Sequence, residues 1–178
     1  MKSIKQITIL TLLLTSVAFA KEAKPKATAN PELVKMFGEK LRTHKKKKVS
    51  TAVLSDKKII GIYFSAHWCP PCRAFTPELV KFHKNMTKAG NAFEIVFVSS
   101  DSDKSAMYEY VKEMNMPWLV LPFGDEHKKT LGTKFNIRGI PALIIIDAKG
   151  NLITKAGRND VTSLGEKAFD KWLKKSKK

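Results

Sequence analysis

The only two cysteines of the chain, Cys69 and Cys72, lie three positions apart and closely follow an apolar segment. That segment, residues 59–64, reads Ile-Ile-Gly-Ile-Tyr-Phe, a pattern typical of a buried strand. Pro70 and Pro71 separate the cysteines. Proline fits the first turn of a helix because the N–H groups there need no intrahelical partner. The pattern therefore predicts a buried strand that leads into a helix, with both cysteines at the start of that helix.

A pair of thiols at the start of a helix suits thiol–disulfide exchange. Unpaired backbone N–H groups and the helix dipole favour a negative sulfur there, and the thiolate is the reactive form. We expect Cys69 to attack a substrate disulfide. Cys72, one turn later and more buried, would then resolve the mixed disulfide and release the reduced substrate. Pro70 and Pro71 would stiffen the turn that holds the two sulfurs together.

A structural disulfide, a haem attachment site and a metal site are the alternative interpretations of the two cysteines. A disulfide across so short a loop restricts the unfolded chain little and therefore stabilises little. Attachment of c-type haem would need a histidine after Cys72, where the sequence has Arg73. Zinc would need two further ligands, and only His67 of the four histidines lies near the cysteines. Redox chemistry is therefore favoured, with no metal and no cofactor.

The N-terminal residues 1–20 have the pattern of a secretory signal peptide. Lys2 and Lys5 flank the start of an apolar stretch over residues 7–18, which is shorter than the ~20 residues that cross a bilayer. An Ala-Phe-Ala sequence ending at Ala20 matches a cleavage site. We expect cleavage there and a periplasmic or secreted protein, with an uncleaved membrane anchor as the alternative. Thiols in such an oxidising compartment cross-link unless electrons are supplied.

The rest of the chain divides into a predicted linker and one predicted domain. Residues 21–30 lack bulky apolar side chains and predict a flexible linker, whereas residues 31–178 are long enough for a single domain with a substantial core. The patterns in this domain predict, in order, a helix from Pro31, a small hairpin around a lysine run, a strand over 57–65, a helix over 70–88, a strand over 93–99, a helix over 103–114, a hairpin of 142–147 with 152–155, and a helix over 161–175. This order predicts an α/β fold in which helices flank both faces of a central mixed β-sheet.

The formal net charge of the chain is +17, and much of it lies in residues 45–48 and in the lysines from Lys171 onward. Nucleic acid is a common partner for such charge, but an exported protein rarely meets it, and the sequence has no platform of interleaved aromatic and basic residues. We expect solvated basic faces, or attraction to an anionic membrane surface or to acidic partners. No nucleic-acid partner is expected, and we expect a monomer.

Two prolines beyond the cysteine pair add to the pattern. Pro77 lies five residues after Cys72, and Ile140-Pro141 precedes an apolar strand segment. Proline at the entry of a strand often marks a special turn, and cis peptide bonds occur almost only before proline. Together with Trp-Cys-x-x-Cys after a buried strand, these residues resemble the thioredoxin fold.

Longer segments resemble two members of that fold more specifically, the tryparedoxins and nucleoredoxins. Residues 64–79 carry this resemblance with Phe-Ser-Ala-His-Trp-Cys-Pro-Pro-Cys-Arg at their start, and residues 97–101 and 139–143 extend it. The similarity covers roughly residues 41–172. Exported members of the fold resemble reductases that keep exported thiols reduced. The resemblance therefore implies disulfide-containing protein substrates and a separate thiol protein as electron donor.

The resemblance also implies roles for single residues. Pro141 would be a cis-proline that faces the disulfide, and the backbone of Ile140 would pair with an extended substrate segment. Pro77 would kink the helix that carries the cysteines. Beside them, Trp68 offers a flat apolar surface suited to docking a peptide.

One departure from the family concerns the proton of the resolving thiol. Many thioredoxins carry a buried carboxylate six residues before the first cysteine, and here that position is Tyr63. A tyrosine with an ordinary pKa near 10 is a poor base at neutral pH. Water, or Glu78 if it lies close, is the expected proton acceptor.

A second departure is the longer connection over residues 116–134, which we expect to pack beside the site. Trp118 and Phe123 in this connection would either shape a substrate groove or pack in the core, and core packing is favoured.

The charged neighbours of the cysteines are candidate tuning residues. A protonated His67 would stabilise the Cys69 thiolate, and Arg73 adds positive charge near the sulfurs, although either side chain could simply be solvated. The sequence does not fix the direction of electron flow, because potentials within this fold span ~150 mV. A reductase is favoured. A disulfide-donating oxidase and a non-enzymatic thiol chaperone for metal or haem are the alternatives.

Overall fold

The computed structural model describes residues 28–177. The predicted signal peptide and residues 21–27 of the predicted linker lie outside this range. The helices are α1 (Pro31–Phe37), α2 (Pro70–Lys88), α3 (Lys104–Glu113), α4 (His127–Phe135), α5 (Gly157–Leu164) and α6 (Lys167–Lys175). The strands are β1 (Lys40–Thr43), β2 (Lys48–Ser50), β3 (Ile59–Ser65), β4 (Phe93–Ser99), β5 (Leu119–Val120), β6 (Ala142–Asp147) and β7 (Leu152–Thr154). A short 3-10 helix, Thr51–Leu54, follows β2.

The seven strands form one mixed sheet in the order β2-β1-β5-β4-β3-β6-β7. β3 runs parallel to β4 and antiparallel to β6, so it lies deep within the sheet. Every residue of β3 is buried, because helices cover both faces of a strand in this position. The segment that carries the cysteines therefore begins at the carboxyl end of a central strand.

Two apolar layers cover the two faces of the sheet. α2, α3, α5 and α6 contribute to one layer through Phe75, Met107, Val161 and Phe169, respectively. α1 and α4 contribute Leu33, Leu131 and Phe135 to the other layer. Helices thus flank both faces of the sheet, which confirms the predicted α/β fold.

Local signals account for the elements that the sequence predicted best. Asn30 caps α1 by accepting a hydrogen bond from the N–H of Glu32, and Pro31 takes the first helical position. The side chain of Asp103 accepts a hydrogen bond from the N–H of Ala106 at the start of α3. The predicted helix over 70–88 and strand over 93–99 are confirmed, as is the hairpin around the lysine run.

The prediction of one helix over residues 161–175 is wrong. α5 already begins at Gly157 and ends before Gly165, whose φ of +53° breaks the helix. Gly157 packs so closely on β6 that an added Cβ would lie 2.6 Å from the carbonyl oxygen of Leu143. The apolar periodicity predicted α6 correctly, but Gly165 divides the segment into two helices.

The connection over residues 116–134 holds two elements that the sequence did not predict. β5 is only two residues long, too short for periodicity to reveal, and its pairing with β1 and β4 defines it. α4 offers only Leu131 and Phe135 as buried residues and contains a glycine, so its helical pattern is weak. The connection therefore extends the sheet and its second helical layer. No helix within residues 28–177 is long and apolar enough to cross a membrane.

Candidate active site

Cys69 and Cys72 form a disulfide at the start of α2, with their Cα atoms 5.2 Å apart. Cys69 is the N-cap of α2 and has an extended backbone, while Pro70 and Pro71 take the first helical positions. No side chain caps the N–H groups of this helix. Cys72 is fully buried, whereas Cys69 retains 3% exposure. The predicted placement of both cysteines on the strand–helix junction is confirmed.

The loop before β6 lies against this disulfide. The Ile140–Pro141 peptide bond is cis, as the family resemblance implied. The carbonyl oxygen of Ile140 lies 3.8 Å from the Cys69 sulfur, and the Ile140 side chain packs against Ala66 and both cysteines. The fold thus joins two parts of the chain that are 71 residues apart in sequence.

Trp68 provides an exposed apolar surface next to the disulfide. Its side chain is 64% exposed, and its indole N–H donates to the carbonyl of Ser100 at 3.1 Å. Because this hydrogen bond fixes one edge of the ring, the other edge and the ring face are available to a docked chain. Trp118 lies in the core instead, edge-on to Tyr63, whereas Phe123 is partly exposed beside Asp101.

Asp101 anchors the loop between β3 and α2, a role that the sequence did not reveal. It follows the carboxyl end of β4 and is buried. One carboxylate oxygen accepts the backbone N–H of His67 at 2.7 Å, and the other accepts the hydroxyl of Ser99 at 2.7 Å. The only available signal was the position of Asp101 directly after an apolar strand that runs beside β3.

We expect Asp101→Ala to lower the free energy of unfolding by about 2 kcal/mol, because a partly buried N–H and a buried hydroxyl lose their acceptor. In a domain of this size that corresponds to a fall in Tm of roughly 4–8 °C. Thermal unfolding of the oxidised protein measures this fall in Tm. Asp101→Asn, which keeps one acceptor oxygen, should lose less. Equal losses for the two variants would contradict the anchoring role.

A buried cluster of hydroxyl groups occupies the place where many thioredoxins carry a carboxylate. The Thr76 hydroxyl lies 2.8 Å from the Cys72 carbonyl, 2.8 Å from the Tyr63 hydroxyl and 2.6 Å from the Tyr110 hydroxyl. Since threonine has one proton to donate, and the carbonyl can only accept, both tyrosines must donate to Thr76. Ser65 completes the cluster at 3.1 Å from Tyr110.

Neither residue considered as proton acceptor fits that role well. Burial, together with neighbouring Tyr110, raises the pKa of Tyr63 far above its ordinary value, so its phenol stays protonated. Glu78 is exposed and accepts a hydrogen bond from Thr162 of α5 at 3.2 Å. Since Glu78 follows Cys72 by six helical positions, it lies about 9 Å further along the axis.

Glu113, whose side chain is half-exposed, contacts both His67 and Arg73, the charged candidates for tuning the dithiol. Its Oε2 lies 2.7 Å from His67 Nε2, and its Oε1 accepts from Arg73 Nη2 at 2.5 Å. The hydrogen bond from Arg73, and then the one from His67, lower the pKa of Glu113 to about 2. His67 and Arg73 are therefore held by a common anion. Glu113 at the end of α3 was not identified from the sequence, because no local pattern links it to residues 40 or more positions away.

Comparison with known proteins assigns the fold and this disulfide to a family. A model of the thioredoxin-like family matches residues 56–152, more than half of the chain, including both cysteines. The chain belongs to the thioredoxin-like family.

Nucleoredoxins are among the curated relatives of this thioredoxin-like chain. Probable nucleoredoxin 1 of Arabidopsis thaliana is 47% identical over 112 residues, which cover 63% of this chain and 19% of the relative. Nucleoredoxin of Danio rerio is 42% identical over 125 residues, covering 70% of this chain and 29% of the relative. The thioredoxin-like chain thus spans less than a third of the length of these two relatives.

Solved structures of tryparedoxins and thioredoxins share the same fold over most of their length. Tryparedoxin from Trypanosoma brucei superposes with a TM-score of 0.71 at 35% identity, covering 79% of this chain and 97% of that one. Thioredoxin from Wuchereria bancrofti gives a TM-score of 0.67 at 39% identity, covering 78% and 96%. Within residues 28–177 of the thioredoxin-like chain, no group of three or more histidine, cysteine, aspartate or glutamate side chains is arranged to hold a metal ion.

Proposed function

We propose that this thioredoxin-like protein is an exported protein-disulfide reductase that works through Cys69 and Cys72. The observation that carries the proposal is the disulfide at the N-terminus of α2, with the Ile140 carbonyl against Cys69. Exposed Trp68 lies on the same segment. A reactive sulfur, a neighbouring backbone carbonyl and an apolar surface together suit an extended peptide that contains a disulfide.

In the proposed reaction the Cys69 thiolate attacks one sulfur of a substrate disulfide. The substrate S–S bond breaks, one substrate sulfur leaves as a thiolate, and the other forms a mixed disulfide with Cys69. Cys72 then attacks the Cys69 sulfur, which releases the second substrate thiol and forms the Cys69–Cys72 disulfide. Two electrons have passed to the substrate. A separate thiol protein must return two electrons before the next cycle.

The structure supports this order of attack through the position of Cys69. Cys69 is the N-cap of α2 and lies at the positive end of the helix dipole, which stabilises a thiolate. Pro70 and Pro71 have no N–H, so the Cys72 N–H is the first donor that the helix offers beside it. Cys72 lies inside the first turn and is fully buried. We propose that water accepts the Cys72 proton, because Tyr63 is held neutral and Glu78 is turned toward α5.

Export is proposed from residues 1–20, whose pattern is that of a cleaved signal peptide. It would place the dithiol in the periplasm or outside the cell, where disulfide-containing clients occur. Sequencing the N-terminus of the mature protein, together with cell fractionation, tests this part of the proposal. A retained N-terminus in the cytosolic fraction would refute it.

The direction of electron flow is tested with reduced protein, insulin as a disulfide substrate and a glutathione redox buffer. We expect catalysed insulin reduction and a potential closer to the −270 mV of thioredoxin than to the −120 mV of DsbA. A Cys69 pKa near 4 together with a potential above about −150 mV would identify an oxidase instead. Stoichiometric metal or haem retained by the reduced protein, without insulin reduction, would identify a thiol chaperone.

A further inference from the structure

Glu113 connects His67 and Arg73, the two basic residues that flank the dithiol in sequence. His67 precedes Cys69 by two positions, and Arg73 directly follows Cys72. The guanidinium of Arg73 contacts both oxygens of Glu113, with Nη1 3.3 Å from Oε2 as well as Nη2 on Oε1. The carboxylate therefore ties the loop before Cys69 to the first turn of α2.

Besides Glu113, two further contacts hold His67, one to its ring and one to its backbone. It stacks on the ring of Tyr110, with centroids 5.5 Å apart and planes 19° from parallel, and its backbone N–H is held by Asp101. Tyr110 belongs to the hydroxyl cluster that reaches the carbonyl of Cys72. Because these contacts hold the ring in place, Glu113 acts on a preorganised group.

Charges of opposite sign near a thiol shift its ionisation in opposite directions. Cations near a thiolate stabilise it, and an anion near it destabilises it. Arg73 is always charged, and Glu113 stays ionised at every pH at which a thiol reacts because its pKa is about 2. Because Arg73 is paired with Glu113, its positive charge stabilises a nearby thiolate much less than the charge of an unpaired arginine would.

We propose that Glu113 is a positioning residue that holds His67 and Arg73 beside the dithiol and offsets the charge of Arg73, so that the dithiol stays reducing. The inference rests on the proposed reductase function. A more stable thiolate makes the reduced form more stable and its disulfide a stronger oxidant. Glu113 would thus keep the thiolate of Cys69 from becoming too stable for a reductase.

Replacing Glu113 with glutamine tests the proposal, because the amide keeps the shape of the side chain and removes its charge. We expect the Cys69 pKa of Glu113→Gln to fall by about half a unit, and the equilibrium with glutathione to shift about threefold toward the reduced protein. This is less than the 1–3 units of a buried charge contact because Glu113 is half-exposed. Thiolate absorbance against pH and quantification of the reduced fraction measure the two effects.

Two further variants separate charge from structure. Arg73→Gln should shift both quantities in the opposite direction, and the double variant should return close to the parent protein. Glu109→Gln is the matched control, since Glu109 is exposed one turn earlier on α3 and hydrogen-bonds only to Ser105 among the described residues. If Glu113→Gln changes the two readouts no more than Glu109→Gln does, even with a lower Tm, the proposal is overturned.

The proposed function and this inference can fail separately. Both readouts are equilibrium properties of the dithiol and need no turnover of a protein client. Absence of insulin reduction by the parent protein would count against the reductase, whereas an unchanged thiolate titration in Glu113→Gln would count against Glu113.

Discussion

Cys72→Ser should accumulate stable mixed disulfides through Cys69, because the attacking sulfur remains and the resolving sulfur is gone. Cys69→Ser should accumulate none, since Cys72 is fully buried in the first turn of α2. Both variants should lose insulin reduction by about three orders of magnitude or more, as is usual when one member of a jointly acting pair is removed. Non-reducing electrophoresis and mass spectrometry of the trapped species measure the first effect.

The double variant with serine at both positions is the control for adventitious cross-linking, because the chain has no other cysteine. Equal trapping by the two single variants would show that the order of attack is wrong. The proteins trapped by Cys72→Ser would also reveal the clients, which the motif alone does not specify.

Thr76→Val should lower the free energy of unfolding by about 2–4 kcal/mol. Valine keeps the branched shape, but the buried hydroxyl of Tyr63 loses its acceptor, and an unsatisfied buried donor costs about 1–3 kcal/mol in addition to the lost hydrogen bonds. Tyr110 loses less because it can donate to Ser65, 3.1 Å away. Urea unfolding of the oxidised protein measures the change.

Thr76→Ser is the matched control, since it keeps the hydroxyl and should lose only the roughly 1 kcal/mol of one buried methyl group. The combination of Tyr63→Phe with Thr76→Val removes donor and acceptor together. It should therefore cost less than the sum of the two single changes. Strict additivity would mean that the Tyr63–Thr76 contact of 2.8 Å contributes little.

The sequence was sufficient for the parts of the site that follow each other along the chain. An apolar run, two cysteines and two prolines predict β3, the start of α2 and the position of the disulfide, because the rules for helix starts act within a few residues. The family resemblance placed Ile140 and Pro141 beside the cysteines. The contact between Ile140 and Cys69 joins distant parts of the chain, so no local pattern could predict it.

The residues that the sequence did not identify act across long separations. Glu113 contacts His67 and Arg73, which are 46 and 40 positions away. Asp101 contacts the backbone of His67 from the loop after β4. A lone carboxylate on the solvent-facing side of a helix carries no periodic signal. Its role appears only when the sheet brings α3 beside α2.

The hairpin of β1 and β2 has a consequence for how copies of this protein meet. β2 is one outer strand of the sheet and only three residues long. Outer strands expose unpaired backbone groups that can recruit another chain and start aggregation. The lysine run over residues 45–48 forms the turn of this hairpin and enters β2. We expect repulsion between these lysines on two copies of the protein to disfavour edge-to-edge pairing of their sheets.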